Sequence, residues 1–365
     1  MKRSVVRRHR SQLTIAATAA VIAGLALVVP GTAAADQGSG GTSSVPVEFH
    51  VVTSNRSGLP CLALPTDEHV TVRGHLTGPT SQLESDRVDG TLYSHGDGYD
   101  ESFWRYHQDK SYDYADDMAE HGHVSVTIDR LGYGDSDKPN GNGVCFGTEA
   151  DVLHQIIGQL RDGSYSGDHT PRFNKIGLVG HSASGFIVEQ EAAAFHDIDA
   201  LGVLSSGEPN ATPLVLERAG EQQLRCAPSL PGLLGIGGRA GSNGYAPLEA
   251  DAQQFRSDHL YNVEPAIARD LTARRTDDAC AGSRNAAQAV AGDAVRNSLI
   301  TVPVLVMAGD HDALFPHPGL QALTYTRSRK VTTHEIPGTG HAIAFSRNAS
   351  RFRDNMDHWL TDNDL

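Results

Sequence analysis

A serine between small residues follows an apolar run of the kind that forms a buried strand. The run covers residues 175–179, and Gly-His-Ser-Ala-Ser-Gly at 180–185 places Ser182 just after it, before a helical pattern. A serine on such a sharp strand-to-helix turn exposes its hydroxyl as a nucleophile, and the turn needs small residues two positions to either side. Gly180 and Ser184 meet that requirement. Ordinary turns also produce this pattern, but its position predicts Ser182 as the nucleophile of a covalent mechanism.

A glycine turn after an earlier strand supplies candidate hydrogen-bond donors. His-Gly-Asp-Gly occupies residues 95–98, directly after the apolar run 90–94. In such a loop the backbone N–H of Asp97, together with that of Ala183 beside the nucleophile, would point at the oxygen of a reacting carbonyl. The loss of one such donor typically costs about 3–4 kcal/mol in the transition state. A glycine turn without a catalytic role can have the same sequence. Because a candidate nucleophile, Ser182, is also present, we predict that Asp97 and Ala183 form an oxyanion hole.

A third pattern follows the apolar run at 124–128. Asp-Arg-Leu-Gly-Tyr-Gly-Asp-Ser occupies residues 129–136. The His-Gly turn, this pattern and the serine turn follow one another along the chain in an order that resembles that of the α/β-hydrolase family, over about residues 90–204 and 302–365. The resemblance implies a serine hydrolase, and it implies that 129–136 has a structural and not a catalytic role.

The same resemblance assigns a base and an acid. A strand-like run is followed by Gly-Asp-His-Asp, whose last position is Asp312, and Ile-Pro-Gly-Thr-Gly-His ends at His341. In similar proteins these positions carry the acid and the base, in the chain order serine, acid, histidine. His341 would accept the proton of Ser182, and Asp312 would orient the imidazole and stabilise its charged form. Asp310 in the same turn and Glu208 after another strand are the weaker alternatives for the acid.

Alternating strands and helices must position these groups. Apolar runs predict strands at 47–52, 69–76, 90–94, 124–128, 175–179, 200–204 and 304–308, and helical spacing predicts helices at 150–160 and 185–196. The central runs are apolar on both faces, as in a parallel sheet covered by helices. We therefore predict an α/β fold of the α/β-hydrolase type, with a mostly parallel central sheet flanked by helices and an inserted, largely helical cap.

The pattern changes between the two parts of this predicted core. Residues 209–299 are polar, alanine-rich and helical. We predict them to be the cap, inserted between core segments at 36–208 and 300–365. Within the cap, residues 230–236 mix apolar side chains with glycine, which suits either a mobile lid over an apolar pocket or a solvated loop. The Gly/Ser/Thr-rich start of the core, residues 36–46, predicts a flexible leader.

The N-terminus has the order of features of a secretory signal peptide. Basic residues precede an uncharged run at 13–29, and Ala33-Ala34-Ala35 offers the small residues of a cleavage site. The run is short for a membrane span, which needs about 20 apolar residues. We predict that residues 1–35 are removed and that the mature protein, beginning near Asp36, is secreted to the extracellular space without a stable membrane anchor. Twin-arginine and general secretory export both stay open.

Four cysteines in an exported chain favour two disulfide bonds. Three pairings are possible. Cys226 and Cys280 fall inside the same predicted insertion, which favours this pair and leaves Cys61 for Cys145. Each bond would stabilise the fold by about 4 kcal/mol in the chain-entropy model.

The charge balance argues against nucleic acid as a partner. The 365-residue chain carries a net charge of −14, and without residues 1–35 it has 25 basic against 44 acidic residues, a net charge of −19. Such a surface repels nucleic acid and anionic lipid. The histidine clusters at 121–123 and 310–312 lack the spacing and the further ligands of a zinc site. We therefore expect no metal and no cofactor.

The residue type at the nucleophile position narrows the reaction. Similar proteins that open epoxides or remove halide carry aspartate there, so Ser182 favours acyl transfer to water. We expect a secreted carboxylic ester hydrolase that acts on a small-molecule or lipid-like ester, or on a lactone. The alternatives are an exopeptidase of the same fold, hydrolysis of a carbon–carbon bond in a dione, and a non-catalytic binding protein. Similar exopeptidases carry an aromatic residue after the serine, whereas Ala183 is small, which favours the esterase.

Overall fold

The computed structural model describes residues 41–62, 67–227 and 243–365. The predicted signal peptide at 1–35 and the possible lid at 230–236 lie outside these residues. Among the described residues, no helix is both long enough and apolar enough to cross a bilayer.

Eleven strands are found in the described part of the chain, and two of them, β8 and β9, form a separate antiparallel pair. The strands are β1 (Thr42–Val52), β2 (His69–Pro79), β3 (Arg87–Ser94), β4 (Ser125–Ile128), β5 (Ser166–Gly167), β6 (Arg172–His181), β7 (Ala200–Leu204), β8 (Tyr245–Ala246), β9 (Asp278–Ala279), β10 (Val304–Gly309) and β11 (Val331–Ile336).

The remaining strands form one sheet in the order β11-β10-β7-β6-β3-β4-β2-β1-β5. The neighbours from β11 to β4 are all parallel, and β2, β1 and β5 add an antiparallel edge. Every residue of β7 and β10 is buried, because helices cover both faces of the parallel part. The predicted mostly parallel sheet is confirmed.

The predicted flexible leader is wrong over its described end. β1 begins at Thr42 and pairs with β2 without interruption, from Thr42 opposite Pro79 to Val52 opposite His69. Residues 42–46 are mostly polar and end in proline, so their own pattern is a weak indication of a strand. The long neighbouring strand β2 supplies the backbone partners that override this weak propensity.

Helices fill the connections between the strands. They are α1 (Thr80–Leu83), α2 (Tyr114–Glu120), α3 (Phe146–Asp162), α4 (Ala183–Phe195), α5 (Pro213–Cys226), α6 (Ala252–His259), α7 (Pro265–Arg274), α8 (Cys280–Asn297), α9 (Pro318–Ala322) and α10 (Ala349–Asp362). α3 and α4, the two helices predicted from apolar spacing, pack against each other.

The segment between β7 and β10 lies where the predicted cap was placed, and it contains α5 to α8 and the β8–β9 pair. Cys226 is bonded to Cys280 within this segment, and Cys61 is bonded to Cys145, which is the pairing favoured from the sequence. β3, β6, β7 and β10 are parallel neighbours, so their carboxyl ends lie along one edge of the sheet, where α/β proteins bind their ligands.

Candidate active site

Ser182 lies at the junction of β6 and α4. Its φ of 56° and ψ of −123° place a non-glycine residue in a strained part of backbone space. The turn is also crowded: a Cβ on Gly180 would lie 2.3 Å from the backbone oxygen of Ser184, and one on Gly185 would lie 2.2 Å from the Cβ of Ser206. The strained turn therefore requires these small residues, and it presents the serine side chain at the carboxyl end of β6.

The structure brings together the three side chains predicted as nucleophile, base and acid. His341 Nε2 lies 2.8 Å from Ser182 Oγ, and His341 Nδ1 lies 3.0 Å from each oxygen of Asp312. All three residues are buried. Because a carboxylate can only accept, Nδ1 carries the proton in this pair, which leaves the Nε2 lone pair facing the serine hydroxyl.

The Asp312 carboxylate is held in its ionised form by its surroundings. The backbone N–H groups of Leu314 and Phe315 each donate to Asp312 Oδ1 at 2.9 Å. Burial raises the pKa of Asp312, but His341 and these two N–H groups together outweigh burial and hold the pKa below its usual value. Asp312 is therefore a carboxylate throughout the neutral range and can stabilise a charged imidazole.

The two weaker alternatives for the acid lie elsewhere. Asp310 Oδ1 lies 2.7 Å from Nδ1 of its neighbour His311. Glu208 begins a single turn of 3₁₀-helix at Glu208–Asn210. Within the described part of the chain, neither carboxylate forms a hydrogen bond with His341.

The loop at 95–98 passes directly beside the nucleophile. A Cβ on Gly96 would lie 2.7 Å from the Cβ of Ser182, so only glycine allows this approach. Ala183 is the first residue of α4, and its N–H is one of the donors that find no acceptor within a helix. Asp97 lines the same cleft as Ser182 and Ala183, and its N–H takes part in no backbone hydrogen bond among the described residues. The two predicted donors thus lie on segments adjoining the serine.

Arg130, in the third sequence pattern, fastens this loop to the core. Its guanidinium donates to both oxygens of Glu149 at 2.6 Å and to Asp97 Oδ1 at 3.0 Å. Its backbone N–H donates to His95 Nε2 at 3.1 Å. Burial, reinforced by the Arg130 charge, lowers the pKa of His95 to about 3, so His95 is a neutral acceptor at neutral pH. The pattern at 129–136 therefore positions the loop.

Two residues at the site have roles that the sequence analysis missed. Ser184 was treated only as a small residue, but its hydroxyl donates to the His95 carbonyl at 2.5 Å. Asp278, in β9 of the insertion, accepts the backbone N–H of Gly98 at 2.7 Å across a separation of 180 residues. A serine in place of glycine was a visible signal for the first contact, whereas no local pattern could have indicated the second.

Comparison with known proteins assigns the family. The family model described as "Alpha/beta hydrolase family" matches residues 92–354, which is most of the chain. The chain belongs to the alpha/beta hydrolase family. No curated protein shows significant sequence similarity to it.

Solved structures of an esterase, a lipase and a thioesterase domain have a similar fold. A thermophilic esterase from Thermogutta terrifontis superposes with a TM-score of 0.59 at 18% identity, covering 86% of this chain and 98% of the esterase. A monoacylglycerol lipase from Paleococcus ferrophilus gives a TM-score of 0.51 at 17% identity, covering 75% of this chain and 94% of the lipase. The thioesterase domain from the curacin biosynthetic pathway gives 0.51 at 17%, covering 79% and 95%. At these identities the likeness shows the fold.

An apolar cleft opens beside the serine of this α/β-hydrolase. Its apolar walls come from α3, α4, α5, α8, the segment after β8 and the segment after Asp312. They are Phe146, Ala183, Phe186, Val215, Ala219, Leu248, Ala286, Val290, Leu314 and Phe315. Arg218 also lines the cleft, but its Nε donates to Asp258 at 2.6 Å, so its charge is compensated. The cleft is thus suited to a hydrocarbon group.

The histidine clusters considered as metal ligands do not converge in the α/β-hydrolase. His121 Nδ1 lies 2.8 Å from the Asp117 carbonyl oxygen, whereas His123 Nε2 lies 2.8 Å from Asp357 Oδ1. His311 pairs with Asp310 at the surface. Each imidazole is therefore engaged by a different neighbour.

Proposed function

We propose that this α/β-hydrolase is a serine hydrolase that cleaves a carboxylic ester or a lactone through an acyl-enzyme on Ser182. The observation that carries the proposal is the chain of contacts from Ser182 Oγ to His341 Nε2, at 2.8 Å, and from His341 Nδ1 to Asp312, at 3.0 Å. A serine hydroxyl is a weak nucleophile at neutral pH, and this arrangement provides the base and the orienting acid that activate it.

In the acylation step, Ser182 Oγ attacks the carbonyl carbon while its proton moves to His341 Nε2. The carbonyl oxygen gains negative charge, which the N–H groups of Asp97 and Ala183 would stabilise. The imidazolium next to Asp312 then gives its proton to the alkoxide of the leaving group as the bond between carbonyl carbon and alkoxy oxygen breaks. The products of this step are the free alcohol and an ester of the serine.

In the deacylation step, water takes the place of the alcohol. His341 accepts a proton from the water, the resulting hydroxide attacks the acyl carbon, and the serine oxygen leaves with the proton from the imidazolium. The acid is released and the enzyme returns to its starting state. No cofactor takes part in either step.

The walls of the cleft support a substrate with an apolar acyl or alcohol group. The cleft adjoins Ser182, and its lining is predominantly aliphatic and aromatic. Burying hydrocarbon there removes it from water, which gives about 25 cal/mol per Å². A small-molecule or lipid-like ester is therefore the proposed substrate class.

The N-terminal sequence and the cysteines bear on where the protein is located. We infer that residues 1–35 are a signal peptide and that the mature enzyme acts outside the cell. The two disulfide bonds support this inference, since they persist in oxidising compartments. On the same proposal the mature chain consists of core segments 36–208 and 300–365 with the cap at 209–299 between them.

Active-site labelling tests the enzyme proposal directly. Incubation of the native protein with a fluorophosphonate, followed by mass-spectrometric mapping, is expected to place the label on Ser182. Ser182→Ala should abolish labelling and lower kcat on a nitrophenyl ester by about 10⁴-fold or more. Ser283→Ala is the matched control, because Ser283 lines the same cleft without contacting His341, and it should keep both properties. If the fluorophosphonate does not label the native protein, the enzyme proposal is wrong and a non-catalytic binding protein is favoured.

The choice between ester and peptide bonds needs a second comparison. Nitrophenyl esters of increasing acyl length should be hydrolysed much faster than aminoacyl-nitroanilides. The reverse order would identify an exopeptidase that uses the same three side chains. Loss of both activities in Ser182→Ala would show that a single site is responsible.

A further inference from the structure

A second cluster of ionisable side chains lies at the far end of α4 from Ser182. It consists of His154 on α3, Glu191 on α4 and Asp197 just after α4, and we name it the α3–α4 cluster. One ligand atom from each of these three side chains lies within 4.8 Å of the other two. None of them takes part in the proposed ester hydrolysis, and Glu191 lies nine residues along α4 from Ser182, about 14 Å at 1.5 Å per residue.

The buried member of the cluster accepts no hydrogen bond from an N–H group or a hydroxyl of the described residues. Glu191 is fully buried, and its carboxyl faces that of Asp197, whose buried Oδ1 also lacks such a donor. An isolated carboxylate in such a position is costly unless a proton or a cation compensates it. Burial raises the pKa of Glu191 well above its usual value, and Asp197 adds to that shift. Among the described residues, Glu191 thus has neither an N–H donor nor a cationic side chain that would compensate its ionised form.

The neighbouring side chains do not supply the missing cation. Within the described residues, Glu191 has no ion pair with lysine or arginine, and Asp197 pairs only with His154, whose Nδ1 lies 2.6 Å from Asp197 Oδ2. The nearby guanidinium of Arg161 donates instead to the Asp197 backbone carbonyl and to Asp199. Among the described residues, neither lysine nor arginine therefore compensates the two carboxyls of the cluster.

The remaining features are those of a metal site with access to solvent. The His154 ring is held by stacking on Phe195, with centroids 3.9 Å apart and an interplanar angle of 6°. The side chains of His154 and Asp197 are 30% and 27% exposed, so an ion can enter from that side and keep water ligands. One imidazole nitrogen and two carboxylates are a donor set that Zn²⁺ accepts, with water in the remaining position.

We propose that the α3–α4 cluster binds a divalent transition-metal ion, with Zn²⁺ as the preferred ion, through His154, Glu191 and Asp197. The ion would join α3 to the end of α4 and to the turn that follows it. Its role is structural, because the helix that begins at the nucleophile is held at its other end. Binding to the folded state alone stabilises that state by mass action.

Zinc titration of the purified, untagged protein tests the site. Calorimetry with ZnCl₂ is expected to show one ion per chain and a rise in the unfolding temperature of several degrees, while hydrolysis of a nitrophenyl ester changes less than twofold. Glu191→Gln and His154→Gln should each weaken Zn²⁺ binding by more than about 10-fold, since even groups outside the metal's own ligand set change affinity by that much. His121→Gln is the matched control, because His121 pairs with Asp117 without a buried third carboxylate, and it should bind as the wild type does.

Each outcome decides for or against the site. No binding by the wild type at millimolar Zn²⁺ overturns the proposal and leaves a proton as the compensating charge. Binding that survives both substitutions overturns it as well, because the ion then lies elsewhere. If the variants fold poorly, X-ray absorption of the wild type with one equivalent of Zn²⁺ decides: one nitrogen among oxygen ligands supports the site, and several nitrogens or any sulfur contradicts it.

Discussion

His341 is positioned to accept the proton of the Ser182 hydroxyl, and Asp312 is positioned to orient His341. His341 contacts Ser182 through Nε2 and Asp312 through Nδ1. The sequence alone does not decide which aspartate is the acid, because Asp310 lies only two residues before Asp312 in the same turn. The geometry separates the two aspartates: Asp312 faces the imidazole, whereas Asp310 faces His311.

Replacing each aspartate in turn tests that assignment. Asp312→Asn is expected to lower kcat by about 10³–10⁴-fold, since the amide no longer holds the tautomer that leaves Nε2 free, as in other serine hydrolases with this arrangement. Asp310→Asn should reduce kcat less than about threefold, because Asp310 lies partly exposed and away from His341. Steady-state kinetics on one nitrophenyl ester measures both. Equal losses, or the larger loss at Asp310, would reassign the acid.

At the scale of elements, the cleft is built by helices that differ in origin. α3 and α4 belong to the core, whereas α5 and α8 lie in the insertion. α8 contributes Ala286 and Val290, which are four residues apart and so lie on one helix face. The insertion therefore sets part of the shape of the pocket, and a change on this face should alter substrate selection and leave the chemistry intact.

A substitution on that face of α8 tests the role of the cleft. Ala286→Phe places a ring in the cleft and is expected to lower kcat/KM for a long-chain nitrophenyl ester at least about 10-fold relative to the acetate, because one misfit methylene alone changes discrimination by about 1–3 kcal/mol. Ala287→Phe is the matched control, since Ala287 is exposed on the same helix, and it should leave the ratio unchanged. An unchanged ratio in Ala286→Phe would place the acyl chain outside this cleft.

Elements differ in how far the sequence could predict them. β7 was predicted with its observed bounds because its five residues are all apolar and buried. β11 was missed, since Val331–Ile336 is a sheet edge whose half-exposed pattern of valine, threonine, histidine and glutamate resembles a polar loop. The positions of Ser182, Asp312 and His341 could be predicted because each lies in a short local motif that resembles one of the α/β-hydrolase family. The Asp278 contact with Gly98 was not, because only tertiary folding brings residues so distant in sequence together.

At the scale of the whole molecule, α4 carries a buried carboxyl that makes stability depend on pH. Glu189 is fully buried, and its Oε1 accepts hydrogen bonds from Asn297, Gln321 and Tyr325. Burial raises the pKa of Glu189 well above its usual value, and the charge of Asp293 raises it further. Folding therefore takes up a proton at this position.

Because the pKa of Glu189 is higher in the folded than in the unfolded protein, this residue makes the fold less stable as the pH rises. The contribution of protonated Glu189 is fully present below about pH 4.5, the usual glutamate value, and is lost as the pH rises toward the folded-state pKa. Glu189→Gln imitates the protonated form, so its unfolding temperature relative to the wild type should rise between about pH 5 and pH 8. Glu217→Gln, at an exposed carboxylate, should show a flat difference. A flat difference for Glu189→Gln, measured by calorimetry, would contradict a neutral Glu189.

The two disulfide bonds close loops with sequence separations of 84 and 54 residues. In the chain-entropy model, each lowers the entropy of the unfolded chain by an amount worth about 4 kcal/mol. Removing the second bond with Cys226→Ala and Cys280→Ala is expected to lower the free energy of unfolding by about 2–5 kcal/mol in guanidinium titrations. A reducing agent should lower it further in this variant, because the first bond remains. An unchanged midpoint in the variant would mean that strain in the folded state cancels the entropic gain.

The contacts between the insertion and the loop at 95–98 restrict how this scaffold can be recombined. Asp278 accepts the N–H of Gly98, and the Thr276 hydroxyl donates to the Tyr99 carbonyl. A chimera that exchanges the insertion for that of another protein, to obtain a new specificity, would replace the pocket wall. It would also remove the hydrogen bonds that hold the loop at 95–98. Crossover points after residue 212 and before residue 276, with Cys226 kept as the partner of Cys280, would exchange the α5 part of the pocket wall and leave the contacts of the loop at 95–98 in place.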